Sequence, residues 1–276
     1  MNVQLSDRVN NIKPSPTLAV TNRAAELRAA GKNIIGLGAG EPDFDTPDHI
    51  KQAAIQALNE GFTKYTAVDG TPSLKKAIIN KFKQDNGLAY EANQILVSCG
   101  GKQSFFNLSL ALLNEGDEVI VPAPYWVSYP DMVIMADAKP VIITTTQAQR
   151  FKMTPEQLEA AITDKTRLVV LNSPSNPTGV AYSLDELKAL AEVLLKYPQV
   201  LIATDDMYEH IRLNDKPFIN ILNACPALYD RTIVLNGVSK AYSMTGWRIG
   251  YAAGPAWLIG AMKKIQSQST SNPTSI

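Results

Sequence analysis

Residues 167–179 read RLVVLNSPSNPTG. The run LVVL is apolar at every position, whereas a strand with one wet face alternates apolar with polar residues. Continuous apolarity over so short a span fits a strand covered on both sides, as when helices pack above and below a parallel sheet. The loop that follows holds two prolines, and the residue before each is pushed toward an extended backbone. The stretch therefore reads as a buried strand that delivers a stiff, polar loop.

Six more runs have the same character: residues 94–98 (QILVS), 118–122 (EVIVP), 139–144 (KPVIIT), 200–204 (VLIAT), 231–236 (RTIVLN) and 248–254 (RIGYAAG). Helical patterns separate them. Thr46-Pro47 and Thr71-Pro72 each place a cap residue before a proline at the first helical position, with Gly61 and Gly87 as stops. Thr154 with Gln157, and Ser183 with Glu186, have the spacing of capping boxes. Strands alternating with helices predict an α/β fold with a doubly wound, mostly parallel sheet flanked by helices. In such sheets ligands bind beyond the carboxyl ends of the strands, so the strand-end loops are where chemistry is sought.

The totals narrow the function. The 26 Lys and Arg balance 26 Asp and Glu, which argues against nucleic acid or an anionic membrane as the main partner. No run reaches the length of a membrane span, and the first residues lack a basic segment followed by an apolar one. Cys99 and Cys225 lie far apart and read as thiols in a reducing cytoplasm. His49 and His210 offer no ligand spacing, so no metal site is expected.

Each strand end carries something notable. Residues 99–103 (CGGKQ) lead into a helical pattern: paired glycines can aim backbone amides at a phosphate, or simply make a left-handed turn. Asn176 can donate its amide to a ligand oxygen, or close an Asx turn. In Asp205-Asp206-Met207-Tyr208, a carboxylate ending a buried strand demands a cationic partner, and one of the pair can instead cap the next element. Residues 236–251 (NGVSKAYSMTGWRIGY) set Lys240 and Arg248 among small and aromatic residues. A half-buried lysine loses its proton readily and can act as a nucleophile or proton carrier, while arginine presents a fork suited to phosphate. The alternative is two surface cations in ordinary ion pairs. Tyr125 and Trp126 are core aromatics or a flat surface for a ring. Residues 36–40 (GLGAG) have the wrong glycine spacing for a dinucleotide site and open no helix.

One ligand accommodates all of these loops. It has a phosphate for Gly101 and Arg248, an aldehyde for Lys240 and a pyridine nitrogen for Asp205. Its phenolic oxygen suits Asn176 and Tyr208, and its ring face suits Trp126. That ligand is pyridoxal 5'-phosphate.

At these residues the sequence resembles the fold-type I pyridoxal-phosphate aminotransferases. Within them it is similar to the bacterial class-I aspartate aminotransferases, a branch that includes aspartate/prephenate enzymes. The resemblance runs through IKPSPTLAV, GAGEPDFDTP, FTKYTAVDGTPSLK, GGKQ, PAPYWVSYP, NSPSNPTG, DDMYEHI and NGVSKAYSMTGWRIGY. It implies that Lys240 joins the cofactor covalently and carries the proton. It assigns Asp205, three residues before Tyr208, to the pyridine nitrogen, and leaves Asp206 out. Asn176 and Tyr208 bind the phenolic oxygen, and Trp126 stacks on the ring. Gly101, the backbone of Lys102 and Arg248 hold the phosphate, with Ser239 supplying a hydroxyl where the animal-type branch has a serine at the position of Gly237.

The resemblance also implies a homodimer with shared sites, in which Tyr65 reaches a phosphate in the neighbouring subunit. For substrate, Gly40 contacts the α-carboxylate and Lys102 the distal carboxylate of dicarboxylic amino acids and 2-oxo acids, while Lys13 aligns with a position linked to prephenate. The expected reaction is ping-pong transfer between L-aspartate and 2-oxoglutarate. The alternatives are a prephenate, aromatic or neutral aminotransferase, and a silent cofactor-binding module. The expected domains are an N-terminal arm with part of a small domain (1–46) and a large cofactor-binding domain (47–276). The resemblance implies that relatives continue past the position of Ile276 with the rest of the small domain and the arginine for the α-carboxylate, so the chain is expected to be either part of a longer protein or a truncated enzyme. Without that clamp the chain alone is expected to transaminate poorly.

Overall fold

The computed structural model describes residues 3–38, 40–213 and 215–276; Met1, Asn2, Ala39 (within GLGAG) and Asn214 lie outside the described residues. Seven strands form one sheet: β1 (Ile95–Ser98), β2 (Glu118–Ala123), β3 (Lys139–Thr144), β4 (Thr166–Asn172), β5 (Leu201–Asp205), β6 (Thr232–Gly237) and β7 (Gly250–Ala253). All seven runs expected from the sequence are strands, with ends shifted by a residue or two. The order across the sheet is β1-β7-β6-β5-β4-β2-β3. β7 runs antiparallel to both β1 and β6, and the remaining neighbours are parallel. The carboxyl ends of β1, β2, β4, β5 and β6 therefore share one edge, where Asn172 pairs with Asp205 and Gly237 with Gly250.

The helices are α1 (Asp7–Asn11), α2 (Pro16–Ala29), α3 (Asp48–Asn59), α4 (Pro72–Lys81), α5 (Gly101–Leu112), α6 (Ser128–Met135), α7 (Pro155–Ala161), α8 (Leu184–Leu195), α9 (Ile221–Ala224) and α10 (Ala256–Ser267). Successive residues of one strand enter different cores. Leu168 and Val170 pack with Phe105 and Leu108 of α5, Val133 of α6 and Met262 of α10. Val169 and Leu171 pack with Leu187, Leu190 and Leu194 of α8. Each such side chain, fully buried, contributes about 1.5–3 kcal/mol, which is why these strands are apolar at every position.

Most of the expected helix signals act as read. Thr71 accepts from Leu74 N (3.3 Å), and both capping boxes close, at Thr154/Gln157 and Ser183/Glu186. After α4 the chain makes one π-turn (Phe82–Asn86) before Gly87 stops it with φ 67°. Thr46 is a correction. Pro47, expected at the first helical position, sits at the cap, and α3 starts at Asp48. The Thr46 hydroxyl is already engaged, donating to Ser243 O (2.6 Å) and accepting from Trp247 Nε1 (3.0 Å). α2 and α3 bury no residue.

Candidate active site

The shared edge of the sheet opens into a cavity of about 560 Å³, within the range of small-molecule sites. Gly40, Gly101, Lys102, Trp126, Asn176, Asp205, Tyr208, Ser239, Lys240 and Arg248 all line it. Ten site residues expected from separate loops thus converge. Two do not. Lys13 borders an adjoining cavity that it shares with Lys102 and Arg248. Tyr65 is 93% exposed and lies outside both.

The turn from β1 into α5 makes one wall. Gly100 has φ 89° and stands at the helix start with no side-chain cap hydrogen bond. A Cβ on Gly100 would lie 2.2 Å from Arg248 Nη2, and one on Gly250 would lie 2.1 Å from Gly101 N. Glycine at both positions lets the cradle, the arginine and β7 meet. Arg248 adopts φ 57°, a left-handed conformation that costs a non-glycine residue about 1–3 kcal/mol. This strain aims its guanidinium at the turn, where Nη1 donates to Thr245 O (2.7 Å) and Nη2 to Cys99 O (3.4 Å).

Lys240, three residues past the end of β6, donates from Nζ to Gly40 O (2.9 Å). Burial lowers its pKa; nearby Glu41 opposes the shift and Arg248 adds to it. Among the described residues, no carboxylate lies within ion-pair distance of Lys240 or Arg248, which removes the reading of two ordinary surface ion pairs.

The two acidic residues part company. Asp205 closes β5 and lines the cavity, while Asp206 turns into the protein. There Asp206 accepts from Thr204 Oγ1 (2.7 Å) and from Asn220 Nδ2, and burial drives its pKa well up. Among the described residues, the Asp205 carboxylate accepts from Tyr129 OH and from Met207 N (3.2 Å). Burial raises the Asp205 pKa and these two hydrogen bonds oppose the shift.

Tyr129, which the sequence did not single out, also lines the cavity. It lies in the quoted PYWVSYP stretch, one helical turn after Trp126, and the two rings meet edge to face at 5.2 Å. Trp126 in turn carries Lys102 Nζ 5.1 Å from its ring centroid, and burial lowers the Lys102 pKa. On the other wall, Asn172 Oδ1 accepts from Asn176 N (2.7 Å), so the turn-forming side chain is Asn172. That leaves Asn176 Nδ2 to reach Tyr208 OH (3.5 Å) across the cavity. The Ser173-Pro174 and Asn176-Pro177 bonds of this loop are cis.

Residues 32–276 match the family described as aminotransferase class I and II. The chain belongs to that family. It is an α/β transaminase built on the fold of the aspartate aminotransferases. An aspartate/prephenate aminotransferase of Nitrosomonas europaea is 69% identical over 274 residues, spanning 99% of this chain and 69% of that protein. The enzyme of the same name from Cereibacter sphaeroides is 62% identical over 272 residues, 99% of this chain and 68% of the other. Among solved structures, the aspartate aminotransferase of Rhizobium meliloti superposes with a TM-score of 0.95 at 54% identity, covering 99% of this chain and 68% of its own. That of Thermus thermophilus with maleate gives 0.95 at 44% identity, over 99% and 70%.

Proposed function

We propose that this aminotransferase moves the amino group of L-aspartate to 2-oxoglutarate, giving oxaloacetate and L-glutamate, in two half-reactions that share pyridoxal 5'-phosphate. The observation that carries the substrate is Lys102: a cation over the ring of Trp126, in the same cavity as Lys240. A substrate attached near Lys240 can direct a second carboxylate toward it. The names of the relatives agree, and maleate, found with the Thermus enzyme, is itself a dicarboxylate.

The cavity fits the cofactor on its own terms. An uncapped helix start closed by two obligatory glycines, with Arg248 above it, suits a phosphate. A buried carboxylate with only neutral donors around it suits a protonated ring nitrogen, the cation that Asp205 lacks. When bound, pyridoxal phosphate supplies an aldehyde for the amino group and a ring that draws electrons from the substrate α-carbon. The chain does the rest. Gly101, the backbone of Lys102 and Arg248 would hold the phosphate, and Ser239 would add its hydroxyl. Trp126 flanks the ring, and Asn176 and Tyr208 donate to its phenolic oxygen. Asp205 holds the proton on the ring nitrogen. Lys240, whose lowered pKa leaves more of its amine unprotonated than in an exposed lysine, takes the proton from the substrate Cα. Gly40, whose carbonyl receives Lys240 Nζ, presents its backbone to the α-carboxylate.

We assign residues 1–46 to an N-terminal arm with part of a small domain and 47–276 to the large cofactor-binding domain. We read the working form as a homodimer with shared sites, in which the exposed Tyr65 serves a second copy. Lys13, beside Lys102 in the adjoining cavity, supports a second activity with prephenate. The two free thiols suit a reducing cytoplasm, and no helix among the described residues is long and apolar enough to cross a membrane.

Visible absorption tests the cofactor. A visible band that appears on adding pyridoxal phosphate, disappears on borohydride reduction, and is absent in Lys240→Ala is the expected result; no band would sink the reading. Single-turnover rates with aspartate, glutamate, alanine and phenylalanine test the substrate. Lys102→Ser is expected to lower the rate with aspartate about tenfold or more, the worth of a charged hydrogen bond, and to spare alanine. Unchanged preference would remove Lys102 from the distal carboxylate.

A further inference from the structure

A second polar cluster lies outside the cavity and centres on Glu209, the residue after Tyr208. Glu209 is only 2% exposed and does not line the cavity. Its carboxylate accepts from Lys81 Nζ at the end of α4, from Asn86 Nδ2 in the π-turn (2.7 Å) and from Asn236 Nδ2 on β6 (2.7 Å). His210 Nε2 stands 3.4 Å away, between Glu209 and Asp85. A buried carboxylate is costly unless its oxygens are fully used, and these are.

The placement of the Asn236 bond matters most. The backbone ladder between β5 and β6 ends where Asp206 N donates to Leu235 O (2.9 Å). Beyond that point the two chains part: one carries Tyr208, the other Lys240. The Glu209–Asn236 hydrogen bond joins them after the ladder has stopped. Asn236 passes the constraint on, because its Oδ1 accepts from Gly237 N (2.7 Å) at the start of the lysine loop. Lys81 and Asn86 hold the other side of Glu209, and Lys81 Nζ also donates to Asn86 Oδ1 (2.8 Å).

We propose that Glu209 is a positioning residue, which sets the loop of Asp205 and Tyr208 against the loop of Lys240 through Asn236. It touches neither substrate nor cofactor. The inference rests on the reading that those three residues act on one cofactor. A polar network with every member satisfied is rigid, and small displacements between reacting groups are expensive in rate.

The test uses the full chain and Glu209→Gln, which keeps the side-chain shape; Glu209→Ala leaves Lys81 buried without its partner and is less suited. Hydrogen exchange without cofactor is expected to quicken in peptides covering 236–242 as well as 205–211, with 168–171 unchanged. On adding pyridoxal phosphate, the dissociation constant is expected to rise about tenfold, the visible circular dichroism to change, and kcat to fall more than KM. A lowered Tm with exchange in 236–242, cofactor affinity and dichroism all at wild-type values would overturn the proposal and leave Glu209 as packing alone. If the wild-type chain binds no pyridoxal phosphate, the cofactor reading fails, and exchange in 236–242 alone decides whether Glu209 positions that loop.

Discussion

A carboxylate at the tip of a buried strand needs a partner, and the chain has Lys240 and Arg248 in the same cavity to offer. It uses Tyr129 instead. That choice leaves both cations free of carboxylates, and leaves Asp205 held by donors that do not neutralise it. Lys240, Arg248 and Asn176 were legible in the sequence because each sits at a strand end, among residues whose type makes a plain surface role implausible. Tyr129 was not, because its partner lies 76 residues away and only packing of α6 on the sheet brings them together. The consequence can be measured as a pH dependence. Burial raises the folded-state pKa of Asp205, so its contribution to stability is present below the unfolded pKa and is lost as pH rises through the folded one. Removing the phenol takes a donor from the charged form and raises that pKa further. Tyr129→Phe in the cofactor-free chain is therefore expected to cost about 1.5–3 kcal/mol near neutrality and less at about pH 3, below the ordinary aspartate pKa, where the acid is mostly protonated whether folded or unfolded. Urea unfolding at the two pH values checks it, and an equal loss at both would separate Tyr129 from the Asp205 charge.

Elements were legible where the cause of an end is local. Ser183 with Glu186, and Thr154 with Gln157, sit three residues apart, and the structure closes both boxes. Thr46 shows the limit: its neighbours advertise a cap, but Ser243 and Trp247, nearly 200 positions away, claim the hydroxyl. The far end of α8 is set in the same distant way. Arg231, readable only as the start of a strand, donates to Leu194 O (2.6 Å), Tyr197 O (2.9 Å) and Val200 O (2.8 Å). It adds a donor to Leu194 O in the last turn and to two carbonyls just past it, and brings positive charge to the negative end of the dipole. Burial, which lowers its pKa, is the cost of that position. Arg231→Met keeps the aliphatic stem and removes the donors. It is expected to reduce unfolding free energy by about 1–3 kcal/mol while cofactor affinity and the half-reaction with aspartate stay at wild-type values. A matching fall in cofactor affinity would mean that this helix end communicates with the cavity.

Across the whole molecule, the order of strands turns scattered motifs into one place. β4, β5 and β6 are neighbours in sequence and in the sheet, so their tips, with Asn176, Asp205 and Lys240, had to meet once a parallel sheet was inferred. β1 and β7 join by an antiparallel pairing that apolar runs do not announce, and it is this pairing that sets Arg248 against Gly100. Tyr65 remains outside the convergence, and on the dimer reading it belongs to the other copy's phosphate. That reading has a decisive consequence, because a shared site lets two damaged chains repair one another. Lys240→Ala lacks the amine, and Tyr65→Ala lacks the donor offered to the partner. Unfolded together in equal amounts and refolded, half of the dimers pair one chain of each kind. In a mixed dimer one site carries both lesions and the other carries neither, so on the order of a quarter of all sites regain wild-type affinity for pyridoxal phosphate. Cofactor titration of the refolded mixture, beside each variant alone, reads this directly. A mixture that shows only the average of the two variants would place Tyr65 outside the partner's site.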